Sequence, residues 1–278
     1  MPRFPQMNTS PIELPNFSDP PVVETVLSVQ FEPLVEFRAA HFGLYWEMVK
    51  ERFPRTEERA ELVPVLEQFP RIARAGVGIR LESIETPPAP RVWFMNADGT
   101  ELIQLQRDRF IKNWRKTSAG DKYPRYKNVK AGFEQEFSGY LDFVKKQGIG
   151  SVNVNQCEVT YVNHIVSGNG WTTHSDADLV FSCWSQPPED SPGRAEEISF
   201  QASFIIYDDC DSSVGRLHAN MQSAYLSSGA KEVFVLNLTA RGQIGSGTEF
   251  FDRGRYAIVK SFKSLTTPAM HKIWGLGE

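Results

Sequence analysis

The residue types best suited to chemistry fall in three short stretches. His174, Asp176 and Asp178 put one imidazole and two carboxylates within the five residues of "HSDAD", donor types that divalent metals and metal-dependent hydrolases use. Alternate positions converge on one ion only in an extended chain. Ser175 followed by two aspartates also reads as a helix start, where side-chain oxygens meet free N–H groups and the positive end of the helix dipole. The spacing therefore predicts a short helix over 175–184 capped by Ser175, and no metal or cofactor is expected. "DDCDSS" at 208–213 resembles a fragment of a Ca²⁺ loop but lacks its Gly and distal Glu, so it reads as a hairpin turn. Cys157 or Cys210 with His164 or His218 has the makings of a nucleophile–base pair, but both histidines fall on predicted strands and nothing in the spacing joins them.

The segment from Arg107 to Lys130 has a different character. Nine Lys or Arg against two Asp leave a surplus of seven positive charges, in a chain of formal net charge −4. Trp114, Tyr123 and Tyr126 are interleaved with them. Cations suit phosphates and aromatic rings suit unpaired bases, so RNA or single-stranded DNA fits this mixture. An acidic protein surface fits it equally. A solvated edge strand that uses Lys and Arg to block further pairing has the same composition. The candidate binding residues are Arg107, Arg109, Lys112, Trp114, Arg115, Lys116, Arg125 and Tyr126.

Several function classes are excluded. A pI near 5.8 argues against a general DNA-binding domain. "GVGIRLE" lacks the dinucleotide fingerprint, "GQIGSGTEFF" lacks the Lys-Ser/Thr of a Walker loop, and neither a GxSxG elbow nor an HExxH pair occurs. Gly242, Gly245 and Gly247 precede a predicted helix whose N–H groups suit an anion, with Thr248 as the simpler cap. Three widely spaced cysteines without a CxxC pair argue for reduced thiols and a cytoplasmic chain. No apolar run is long enough to cross a membrane, and the Pro-rich start lacks the apolar core of a signal peptide.

These residues need elements to position them. An extended arm is expected over 1–19, a first α+β half over 20–150 and a second over 151–278. Alternation predicts strands at Pro20–Phe31, Gly76–Ile84, Val154–Ile165 and Glu232–Gln243. "ADG" at 97–99 turns a hairpin, and "RDRFIKNWRK" follows as another strand. Two more strands flank the 208–213 turn. Phe37, Phe42, Tyr45, Trp46 and Val49 recur at helical spacing, as do Val129, Phe133, Phe137, Tyr140, Leu141 and Val144, with Gly148 as a C-terminal cap. The segment 55–67 is ambiguous. A last helix is broken by Pro268, and Trp274 reads as a lock for the tail. Each half thus reads β-α-βββ-α. The expected fold class is α+β: a curved, mostly antiparallel sheet with helices on one face, pseudo-duplicated like the TATA-binding-protein saddle, with a helix-grip fold as the alternative.

Four stretches, "PPVVETVLSVQFEPL", "LIQLQRDRFIKNWRK", "YPRYKNVKAGFEQEF" and "FDRGRYAIVKSFKSLTTPAMHKIWG", span nearly the whole chain. In order and spacing they resemble an uncharacterised, sporadically distributed bacterial protein family. The resemblance implies no catalytic residues. Its patchy distribution is like that of mobile or defence-associated genes, which implies a regulator or antitoxin-like role. Together these readings predict a non-enzymatic module that binds a protein partner and does not engage a membrane. The alternatives are nucleic-acid binding through 107–130 and a metal-dependent hydrolase at His174, Asp176 and Asp178.

Overall fold

Apolar residues at every second position make the first strand, because only a pleated chain puts Leu27, Val29 and Phe31 on one buried face. The computed structural model describes residues 14–71, 90–188, 190, 193–227, 231–243 and 249–277. The strand predicted at Gly76–Ile84 and the glycine stretch at 244–248 lie outside them. The strands are β1 (Val22–Phe31), β2 (Arg55–Arg59), β3 (Arg91–Met95), β4 (Glu101–Gln106), β5 (Arg109–Arg115), β6 (Val154–Val166), β7 (Ser199–Tyr207), β8 (Ser213–Tyr225) and β9 (Glu232–Gly242). The helices are α1 (Ala39–Val49), α2 (Tyr126–Gln147), α3 (Ala177–Val180), α4 (Phe250–Leu265) and α5 (Pro268–Ile273). The strands join in one nine-stranded sheet in the order β2-β3-β4-β5-β1-β6-β9-β8-β7. The pairings of β1 with β5, β2 with β3, β3 with β4, β4 with β5 and β7 with β8 are antiparallel. The fold is mixed α and β around a large antiparallel sheet.

Contacts cluster into two compact units. One holds Val23–Tyr161 and Arg241–Phe251. Its core is aromatic. Phe110 meets Phe133, Phe137 and Tyr140 at 5.7, 5.4 and 5.2 Å, and Tyr45 meets Phe94, Tyr140 and Phe143. These contacts place α1 and α2 on the same face of this part of the sheet. The apolar stripe of α2 is buried as its spacing predicts, except for Leu141, which is exposed. Gly148 ends the helix at φ 65, a left-handed conformation that glycine adopts without strain.

The turn between β3 and β4 follows "ADG" as read: Gly99 has φ 77 and Thr100 N–H donates to Asp98 Oδ1 at 2.9 Å. The next strand starts later than predicted. Arg107 and Asp108 form a two-residue turn between β4 and β5. Their carbonyls accept from Leu34 and Phe31 N–H.

The other unit holds Val162–Ala240 with the segments ending at Val22 and beginning at Asp252. Phe181, Phe200, Phe234 and Trp171 form its centre. The helix expected over 175–184 is corrected. A 3-10 turn at His174–Asp176 leads into α3, which has only four residues. It stops because Phe181 turns extended and bridges to Thr266, while Ser182 N–H donates to Leu265 O at 2.9 Å. The cap is Thr173 rather than Ser175.

Candidate functional site

The basic segment does not lie on a sheet edge. β5 sits between β4 and β1, so the reading of it as a protected edge is overturned. Alternation along an interior strand then divides its side chains between two faces. Lys112 and Trp114 share the α2 face with Phe110. Lys112 is buried, pairs with the Glu101 carboxylate and lies 5.9 Å from the Phe53 ring. Trp114 is buried 5.7 Å from Tyr123, whose hydroxyl meets that of Tyr161 at 2.9 Å. Tyr126 is buried too. Trp114 and Tyr126 are thus core side chains and present no open ring to a base, while Tyr123 is half-buried against Trp114 and Tyr161.

Arg109 and Arg115 point to the opposite face. Arg115 Nε donates to Gly99 O at 2.8 Å, and its guanidinium lies 5.8 Å from the Trp93 ring. Arg59 and Arg91 also approach that ring, at 4.6 and 5.7 Å. Arg107 sits in the β4–β5 turn. Of the eight candidates, Lys116 and Arg125 are exposed. The residues are neighbours in sequence but do not form one surface.

What the opposite face carries is a buried polar network that sequence reading missed. Arg91 Nη1 donates to Gln104 Oε1, Gln104 Nε2 to Asn113 Oδ1, and Asn113 Nδ2 to Glu24 Oε1, at 2.8, 2.8 and 2.6 Å. This chain crosses β3, β4, β5 and β1. A second row crosses β4, β5, β1 and β6 through Gln106, Arg109, Gln30 and Gln156, where Arg109 Nη2 donates to Gln30 Oε1 at 2.5 Å. Burial pushes the Glu24 and Asp108 carboxyls above their ordinary values and holds Arg91 and Arg109 below theirs. The signal in the sequence was a glutamine at every second position of β4, Gln104 and Gln106. Such alternation ordinarily marks a solvated face, and only the fold shows that chain covers it.

The segment 60–68 covers the second of these rows. Leu62 N–H donates to Gln106 Oε1 and Gln106 Nε2 donates back to Leu62 O, both at 2.9 Å. Val65 N–H donates to Gln30 Oε1 at 3.2 Å and Glu67 N–H to Gln156 Oε1 at 2.8 Å. Gln156 Nε2 donates to Val65 O.

His174, Asp176 and Asp178 are close in sequence but engaged separately. His174 is buried, with Nδ1 3.1 Å from Glu232 Oε2 and Nε2 3.2 Å from Val233 O. Asp176 Oδ2 accepts from Thr172 and Thr173 N–H, both at 2.9 Å, as a capping carboxylate does. Asp178 Oδ1 accepts from Gln186 Nε2. Among the described residues no three His, Cys, Asp or Glu side chains gather as a metal site would need. Asp208 Oδ1 accepts from Cys210 and Ser212 N–H at 2.9 and 2.8 Å, so "DDCDSS" is an Asx-type turn. Burial pushes the Cys157 thiol up to about 12, far from a thiolate nucleophile.

The two ends of the sheet differ. β2, "RTEER", is short and charged throughout. β7, "SFQASFIIY", has nine residues and no charge, and β8 is its neighbour on one side only. Phe204, Ile205 and Tyr207 are 44%, 45% and 44% exposed. Phe204 pairs with buried Leu217 and Ile205 with Arg216, so apolar side chains flank this edge on both faces. Among the described residues no second strand pairs with β7, and at its end Arg253 Nη1 donates to Tyr207 O at 2.8 Å. Comparison with protein-family models, curated proteins and solved structures found no significant match. No helix among the described residues is long and apolar enough to cross a membrane.

Proposed function

We propose that this chain is a non-enzymatic binding module that takes a strand of a partner protein along β7. The observation that carries the reading is the contrast between the two sheet edges. Charge and shortness protect β2 as natural edges are protected, whereas β7 combines length, neutrality and exposed Phe204, Ile205 and Tyr207. An added strand gains main-chain hydrogen bonds, and the apolar side chains on either face supply selectivity. A charge on such an edge blocks addition at little cost to the fold, which makes the test direct. Tagged wild type and the Phe204→Lys/Ile205→Lys variant are used to capture proteins from the native host, with unchanged circular dichroism as the folding control. A partner retained equally by both proteins sinks the reading.

The regulatory, defence-type and cytoplasmic setting is proposed from the sequence resemblance and the cysteine pattern. The pseudo-duplicated architecture is also part of this proposal. Counting outward from β1, the sheet runs β5, β4, β3, β2. Counting outward from β6, it runs β9, β8, β7. In each direction the first strand of a half is followed by its last, then by the earlier ones in reverse. The first half runs β-α-ββββ-α and the second β-α-βββ-α, so the proposed likeness to a duplicated TATA-binding-protein-like saddle rests on this shared order with β2 as an extra outer strand in the first half.

A further inference from the structure

We infer that the row Gln106, Arg109, Gln30 and Gln156 is a binding site for an extended polypeptide backbone, occupied in this structure by the chain's own segment 60–68. Every contact named here lies within one compact unit. The ligand chemistry is visible in what the segment offers. Leu62 gives both its N–H and its C=O to the single amide of Gln106. Val65 gives its N–H to Gln30 and its C=O to Gln156, and Glu67 gives its N–H to Gln156. Arg109 Nη2 reaches Val63 O at 3.4 Å. A residue directs N–H and C=O to the same side only when extended, and a primary amide matches that pair as a neighbouring strand would. The row therefore reads main chain.

The side chains point elsewhere. Val63 is 79% exposed and Leu66 52% exposed, while Gln30, Gln106 and Gln156 beneath the segment are buried. An ordinary covering loop buries its apolar residues and leaves its backbone to water. This one turns Val63 and Leu66 outward, half-buries Leu62 and Val65, and gives its backbone to the row, so main-chain hydrogen bonds add to a modest apolar burial. The backbone hydrogen bonds of this contact are conserved when one extended chain replaces another. The occupant in trans is thus an extended segment of a partner protein, with few demands on its side chains. The segment in cis lowers the apparent affinity for that partner by the fraction of time it occupies the row. This site is separate from β7 and stands or falls independently of it.

The test uses the full chain and a fluorescein-labelled peptide of residues 60–68, AELVPVLEQ, read by anisotropy. Leu62→Pro/Val65→Pro removes two of the N–H groups that the glutamines accept and leaves the row intact. This variant is expected to bind the peptide at least about tenfold more tightly than wild type, as release of a cis competitor requires. N-methylation of the peptide at Leu62 and Val65 should abolish that gain, and serine at Val63 and Leu66 should preserve it. Equal binding by the two proteins, or binding that follows the Val63 and Leu66 side chains, overturns the proposal. Formation of a dimer by the variant-free protein that excess peptide dissolves identifies a second copy as the occupant and overturns the foreign-chain reading. Should the variant fail to fold, hydrogen exchange in the wild type decides. Saturating peptide is expected to accelerate exchange at Leu62, Val65 and Glu67, and unchanged rates at these amides reject the site.

Discussion

Lys112 carries its charge into a place where few lysines sit, between the Phe53 ring and the backbone of α2 near Gly132. Glu101 neutralises it. Reversing the charge puts a buried carboxylate at position 112 beside the half-exposed Glu101 carboxylate, so Lys112→Glu is expected to lose about 3 kcal/mol in urea unfolding, chiefly from burying an unpaired charge. Lys112→Met keeps the stem and should stay within about 1 kcal/mol of wild type. Lys116→Glu, on an exposed side chain, should change stability by no more than about 0.5 kcal/mol. Loss of binding in Lys112→Glu therefore reports unfolding, whereas loss in Lys116→Glu would report a surface. Asp108 gives a test that depends on pH. Burial raises its folded pKa above the ordinary value of 3.8, so the folded state binds the proton more tightly than the unfolded one. Its penalty on folding is absent below 3.8 and complete above the folded pKa. Asp108→Asn keeps an oxygen to accept from Gln106 Nε2 and should be more stable than wild type at pH 7. That advantage should vanish near pH 3, and an advantage that persists there contradicts the assignment. None of this was legible in composition. Nine basic residues in a stretch of 24 look like one surface until alternation along β5 buries Lys112 on one face and turns Arg109 and Arg115 to the other.

Elements were more legible than their neighbours. Period-two alternation marked β1, β5, β6 and β9, and the α2 stripe and its Gly148 cap were readable because both depend on local geometry. Which strand lies at an edge depends on pairings between residues far apart in sequence, such as Leu27 with Lys112. No local pattern encodes that, so β5 read as an edge and the true edge, β7, read as one strand among several. The short α3 has the same cause: its third turn was sacrificed to a bridge with Thr266. The cap of α5 is local again. Thr267 Oγ1 accepts from Met270 N–H and donates to Leu179 O at 2.6 Å, ahead of Pro268 at the first helical position. Thr267→Ala is expected to cost about 1 kcal/mol in denaturant unfolding, and Thr267→Ser considerably less. Equal losses for the two would show that the methyl group, and not the oxygen, holds the helix.

At the scale of the whole molecule, the mixture of helices with a large antiparallel sheet was readable and the buried polar rows were not. Single strands and helices are set by local periodicity, whereas a face covered by its own chain requires knowing where residues 60–68 return. The tail shows how distant segments become one unit. Asn16 O accepts from Gly277 N–H, Ser18 N–H donates to Gly275 O and Asp19 N–H to Trp274 O, at 2.9, 2.9 and 3.0 Å. Trp274 sits 5.0 Å from Phe262, 6.3 Å from Phe17 and 6.5 Å from His271, and is buried. Its ring therefore joins α4, α5 and the segment before β1, while its carbonyl pins the chain at Asp19. Removing the ring leaves a cavity walled by aromatic groups that small local shifts cannot fill, so Trp274→Ala should cost roughly 3–5 kcal/mol. For a chain of this length that corresponds to a fall in Tm of roughly 10 °C. Trp274→Phe retains most of the buried area and should recover more than half of the loss. A partner anchor would behave differently, since an exposed tryptophan contributes little to the free chain. A Tm unchanged by Trp274→Ala in isolated protein would assign this side chain to recognition and remove it from the lock.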